Sequence, residues 1–342
     1  MVKIKHILYI GIVVLTTLNM GIAQDIHFSQ FSESPATLNP ACIGAFDGEF
    51  RVVGNVREQW KNVGDYSTYA GSFDMIVLRD KITDGSFAVG VNFITDKSGD
   101  LDFSTNTVNL SISANKSISK KNNFALGLQG GFGQRGVTAG SELQQWDNQY
   151  VDGFGYDSNV GSGEDTPVEN FVFADFSTGL LWRYSGENIG FHSGFSIFHL
   201  NQPKQNFLLS TGKQLLQMAF HAGSKIDIKD KPFSLIPKVL FLKNGAQIET
   251  NAGMLFKYVL QEGSEYAGEK SETSVYIGGW YRMGDAAIAN IKMDYMNFSV
   301  GVSYDFNISS YKTITAGNGG FEIAISYLKP LLTTRKKRRS LL

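Results

Sequence analysis

The residues of this chain that could carry chemistry are five histidines, one cysteine and a run of loop carboxylates. Their spacing argues against catalysis. No His-Glu-x-x-His pair is present to hold a zinc, no Gly-x-Ser-x-Gly to present a serine, and no Gly-Lys-Ser/Thr to cradle a phosphate. His192 and His199 lie seven residues apart on one predicted strand, a spacing that expects them on opposite faces and unable to share a metal. A hydrolase built into a membrane barrel needs a Ser–His pair at the lipid face. His192 instead shares the parity of Gly194 and Ser196, so it is expected to face a lumen and make a structural hydrogen bond. Asp-rich turns near 147–165 suggest calcium, yet the spaced Asp-x-Asp-x-Asp-Gly loop is absent. Cys42 stands alone, too far into the chain to be a lipidated first residue, and is expected as a small buried residue in a turn. We therefore expect no catalytic, cofactor-binding or metal residues. What remains is binding.

The elements that would position any binding residue are strands. Gly85 to Phe93 sets the rule: Phe87, Val89, Val91 and Phe93 point one way, while Ser86, Ala88, Gly90 and Asn92 point the other. The same alternation returns at 108–113, 124–129, 191–197, 299–306 and 321–327. A soluble barrel would pack its apolar set inside and carry many charges outside. Here the second face is Gly, Ser, Asn and Ala with scattered charges, which suits lipid outside and a polar lumen within. Strands are expected near 49–60, 66–78, 85–95, 104–117, 123–136, 172–184, 188–199, 214–228, 233–245, 246–260, 272–283, 286–296, 297–306 and 319–328. That makes an all-β, transmembrane, antiparallel β-barrel of about 14 strands, an even number as in bacterial outer membranes. Asp84-Gly85, Asn244-Gly245 and Gly284-Asp285 are tight-turn candidates.

Composition agrees. Of 342 residues, 18% are charged and 13% aromatic, with 37 glycines; soluble proteins carry roughly a quarter charged residues. A net charge of −1 gives no field for nucleic acid, so none is expected as a partner. Residues 1–23 read as a cleaved signal peptide: a basic start at Lys3 and Lys5, an apolar Ile7 to Leu18, and Gly21-Ile22-Ala23 at the cleavage site. Residues 24–48, with two prolines and buried-type aromatics, are expected as a periplasmic-rim or lumenal segment, and 49–328 as the barrel. The long loop 137–170 would open outward, and 329–342 would form a periplasmic tail. Its basic run Arg335 to Arg339 suits anionic lipid or an acidic partner. The location expected is the outer membrane of a diderm bacterium.

Gln24 to Phe31, then Asn39-Pro40-Ala41 and Gly44, resemble the PorP/SprF family of the type IX secretion system. The likeness continues at Arg57-Glu58-Gln59-Trp60, Tyr69 to Asp74, Gln134-Arg135, Trp146-Asp147-x-Gln149 and Asp175-x-Ser177-x-Gly179. It closes at Gly278-Gly279-x-Tyr281-Arg282, Asp285-Ala286 and Gly319-Gly320-x-Glu322-Ile323. Cys42, the Asp/Gly-rich stretch 157–165 and the basic tail depart from the pattern. The resemblance implies an outer-membrane barrel serving export of large surface proteins that carry a C-terminal secretion domain. Its SprF-like branch is tied to gliding adhesins, its PorP-like branch to the secretion machinery and periplasmic ring. On that reading the partner contacts are Trp146, Asp147, Gln149 and Tyr150 in the long loop, then Gln30, Phe31, Asn39 and Pro40 in the N-terminal segment. Arg57, Trp60, Asp74, Arg282 and Asp285 are equally expected as scaffold, with lumenal Arg paired to Asp74 or Asp285 and an interfacial Trp. A passive channel for small solutes is the alternative.

Overall fold

The computed structural model describes residues 26–330, except 61–63, 65, 80–81, 100–102, 138–145, 162, 164–169, 208–209, 263–271, 310–311 and 316. The proposed signal peptide and nearly all of the basic tail lie outside the described residues. Among those described, no helix is long and apolar enough to cross a membrane. The crossing is made by strands.

Fourteen antiparallel strands close into a barrel. They are β1 (Phe50–Gln59), β2 (Tyr66–Ile76), β3 (Gly85–Ser98), β4 (Phe103–Ser117), β5 (Asn122–Val137), β6 (Phe171–Ser185) and β7 (Ile189–Phe198). Then follow β8 (Gln217–Asp227), β9 (Phe233–Asn244), β10 (Gln247–Gln261), β11 (Thr273–Arg282), β12 (Ala286–Tyr295), β13 (Phe298–Asn307) and β14 (Asn318–Lys329). Each pairs with its sequence neighbour, and β1 pairs with β14 through ten consecutive residues, Phe50↔Lys329 to Gln59↔Gly320.

The two faces divide as the alternation requires. Leu110, Ile112, Phe132, Val172, Ile277 and Ile291 point outward and are exposed; Asn55, Asn92, Ser111, Ser113, Asn251 and Ser303 point inward and are buried. A soluble fold exposing so broad an apolar band would aggregate, whereas lipid covers it. Aromatic rings gather at both rims. Phe50 and Phe298 flank Tyr327 at 6.0 and 4.9 Å, and Phe124 and Phe191 flank Trp182 at 6.3 and 5.3 Å, all at the mouth where β1 begins. Trp60 meets Tyr66 edge-on at 5.3 Å at the opposite mouth.

Connections differ between mouths. The terminal mouth, where β1 starts and β14 ends, includes turns as short as Met296 and Asn297, with Met296 at φ 54°. The opposite, long-loop mouth carries the connections 138–170 and 199–216, beside the tight turn at Gly245 (φ 58°). A barrel of fourteen strands encloses more space than its wall side chains can fill. Residues 26–48 enter that space.

Candidate functional site

The N-terminal segment is short helical turns rather than a strand: Phe31–Glu33, Pro35–Leu38 and Pro40–Cys42. Proline at the first position of two of them sets φ and removes an N–H that would lack a partner. Asn39 caps the last turn by accepting the Ala41 N–H at 2.8 Å. The segment is buried almost throughout, with Phe28 and Phe31 at the greasy end and Phe31 against Trp280 at 5.5 Å. Each such ring contributes roughly 1.5–3 kcal/mol by leaving water.

Polar contacts tie the segment to the wall at three levels. Highest, toward the long-loop mouth, the Glu322 carboxylate accepts the backbone N–H of Ser29 at 2.7 Å and of Gln30 at 2.9 Å. Ser29 Oγ donates to Asp305 at 2.7 Å and is itself held by Arg57 and by Arg282 Nη2. Arg57 bridges Asp305 (3.1 Å) and Glu322 (3.3 Å); Arg282 bridges Asp305 (3.2 Å), Asp285 (3.1 Å) and Glu249 (3.4 Å). In mid-barrel, Asn39 Nδ2 donates to the Leu180 carbonyl at 3.0 Å and meets His221 Nε2 at 3.1 Å. Lys292 also holds Glu33 at 2.9 Å. Near the terminal mouth, Arg51 grips Asp74 with two bonds of 2.9 and 3.0 Å and donates to the Cys42 carbonyl, while Asp74 accepts the Gly44 N–H. Buried pairs of this kind add little net stability but fix one arrangement, because breaking one strands a charge.

Two groups of the segment have shifted acidity. Burial works to raise the Glu33 pKa, but Lys292 and Lys238 overcome it and hold the carboxyl down at about 2. Burial pushes the Cys42 thiol up to about 12, against the opposing pull of Arg51 and Arg183. The wall makes room for the segment where side chains are missing. A Cβ on Gly127 would collide with the Pro40–Ala41 peptide, and one on Gly194 with His221 and Asn39.

The expected site residues divide accordingly. Gln30, Phe31, Asn39 and Pro40 are buried against the chain's own wall. Arg57, Asp74 and Arg282 are lumenal; Asp285 sits in a turn beside Arg282, and Trp60 follows the end of β1 at φ 49°. Asp74 partners Arg51, a residue the sequence did not single out, and Arg57 partners Asp305 and Glu322. The expectation that His192 and His199 face opposite sides is corrected: both are buried inside. His199 follows the end of β7 at φ 59°, which breaks the alternation and turns its ring inward. Among the described residues no cluster of three metal-type ligands occurs.

In the long connection, Asp147–Gln149 form a turn, and Gln149 is buried, accepting the Trp146 N–H and donating to the Val160 carbonyl at 3.0 Å. Asp147 and Tyr150 are exposed. A small hairpin follows, Tyr150–Val151 with Gly155–Tyr156, whose tyrosine rings lie 5.9 Å apart. Its tip presents Phe154, 90% exposed between Gly153 and Gly155 at φ 79° and 82°. No periodicity could have marked Phe154; the flanking glycines were the signal.

The family model for type IX secretion system membrane protein PorP/SprF matches residues 21–327. The chain belongs to the PorP/SprF family. It is an outer-membrane β-barrel of the type IX secretion system, a family of secretion barrels rather than known enzymes, and membership implies interaction with components of that machinery. No curated protein matches it. Among solved structures it is similar to the Ralstonia pickettii toluene transporter TbuX, at TM-score 0.52 and 10% identity, over 90% of this chain and 96% of that one. It is also similar to a deltaS2S3 mutant of the monoaromatic hydrocarbon channel TodX, at TM-score 0.52 and 10% identity, over 88% and 94%. At such identity the chain shares with them the fold alone.

Proposed function

We propose that this protein is a non-catalytic binding and anchoring component of the type IX system. It would hold a large secreted surface protein with a C-terminal secretion domain, a gliding adhesin for example, or dock translocon or periplasmic ring subunits. The observation that carries this reading is the filled lumen. A segment clamped by Glu322, Arg57, Arg282 and Asp305 leaves the mouths and their connections, rather than an open bore, as the surfaces for partners. The long-loop mouth faces outward on this reading, with the signal peptide removed and the basic tail in the periplasm near anionic lipid. Asp147, Tyr150 and Phe154 are the first contacts; Trp146 and Gln149 shape the loop beneath them. Gln30, Phe31, Asn39 and Pro40 would meet a partner only once the segment leaves the lumen.

A passive channel for small solutes is the second reading, favoured by the likeness to TbuX and TodX, described as a toluene transporter and a hydrocarbon channel. Affinity purification of tagged protein from solubilised outer membranes separates the two. Recovery of a large surface protein or of translocon and ring subunits supports anchoring. Recovery of the barrel alone, with single-channel conductance, sinks it.

A further inference from the structure

Above the N-terminal segment, on the long-loop side, a cavity of about 80 Å³ remains in the lumen. Ile26, Ala36 and Thr37 of the segment form its floor. A chain of hydrogen bonds runs around part of it. Arg135 donates to Thr105 Oγ1 at 2.9 Å and to Gln205 Oε1 at 2.7 Å; Gln205 donates to Gln214 at 3.2 Å. Gln214 meets His199 Nε2 at 2.9 Å, and His199 Nδ1 meets Asp175 Oδ2 at 2.9 Å. Both ring nitrogens of His199 are thus engaged, one by the Asp175 carboxylate and the other by the Gln214 amide.

Two buried atoms in the lining stay outside this chain: Thr107 Oγ1 and Asp175 Oδ1 have no hydrogen-bond partner. Leaving them so is costly, so each calls for a partner from outside the wall. Thr107 pairs with Gly133, which pairs with Phe173 on β6, and Asp175 lies two residues further on the same face. Thr107 and Phe173 are therefore two strand spacings apart, about 10 Å.

We propose that this vestibule binds one pyranose ring, a neutral sugar residue entering from the long-loop mouth. A carboxylate oxygen only accepts and a threonine hydroxyl does either, so hydroxyl groups satisfy both orphan atoms at once. Arg135 and Asp175 bring one charge of each sign to the lining, which suits a neutral ligand. Ile94, Phe173 and Phe198 give the lining an apolar part for the C–H face of a ring. The site is independent of the anchoring role proposed above.

The test uses the full barrel in a zwitterionic detergent without sugar headgroups. The probes are methyl α-glucopyranoside, methyl α-galactopyranoside and N-acetylglucosamine, read by saturation-transfer NMR. Saturable, millimolar binding of at least one is expected, weakened roughly threefold to tenfold in Thr107→Val and retained in Thr107→Ser. Heat-modifiable gel migration checks that each variant is folded. No saturable transfer from any probe overturns the proposal. So does equal loss in the Val and Ser variants, or transfer from the peptide acetyl-triglycine in place of the sugars.

Discussion

Glu322, on the last strand, receives the backbone N–H of Ser29, near the start of the described chain, at 2.7 Å across 293 residues of sequence. The same carboxylate takes the next N–H, of Gln30, so it grips the chain as an anion grips a turn of exposed amides. A side-chain amide cannot do both without turning its own N–H₂ toward a donor.

Arg57→Ala removes the cation shared by Asp305 and Glu322; Arg282 still holds Asp305, but Glu322 is left buried without a cation of its own. A loss of about 3–5 kcal/mol is expected in unfolding measured in lipid vesicles. A loss below one kcal/mol would show that water already reaches the network.

Gly127→Val drives a side chain into the Pro40–Ala41 peptide while leaving the strand's hydrogen bonds intact. The segment should unseat without collapse of the barrel. Protease cleavage within 26–48 and a rise in single-channel conductance are expected; an unchanged trace would mean that the wall yields instead.

Cys42 is fully buried, with its thiol pushed up to about 12, so thiolate is scarce at any ordinary pH. Maleimide should fail to label native protein between pH 7 and 9 and label it fully after denaturation. In Gly127→Val, labelling should appear under native conditions, which makes Cys42 a reporter of the seated segment.

The Glu33–Lys292 pair gives a pH signature. The folded pKa of about 2 lies below the usual carboxylate value of 4.5, so its stabilisation is present above pH 4.5 and fades as pH falls toward 2. The shift amounts to roughly 3 kcal/mol. Glu33→Gln should lower stability at neutral pH and flatten its dependence between pH 5 and 2; a slope matching the parent's would exclude this pair as its source.

Phe154→Ala tests the outer hairpin. An exposed tip contributes little to folding, so stability should shift by less than about 0.5 kcal/mol. Copurification of a secreted partner should fall, because an aromatic anchor at an interface commonly contributes more than about 1 kcal/mol. Full recovery would move the contact elsewhere on the mouth.

The barrel was legible because lipid imposes a period of two on every strand, and Phe87 to Phe93 shows it without reference to any partner strand. Strand ends followed from glycine turns such as Gly245. The segment's destination was less legible: Phe28 and Phe31 announce burial but not against what, since Trp280 and Glu322 lie far along the chain. Arg57 and Asp74 looked alike as lumenal charges; only register assigns Arg51 to Asp74 and Arg57 to Glu322. His199 was misplaced because alternation was extended one residue past β7, where a left-handed backbone cancels it.

The joint between β1 and β14 is a closed hoop, ten residue pairs without an interruption. A slit opened there would bare a row of backbone amides and carbonyls to hydrocarbon, each costing several kcal/mol. On the anchoring reading proposed above, a bound polypeptide would gain nothing by slipping sideways into the bilayer through that joint. On that reading the rims are where it would be held.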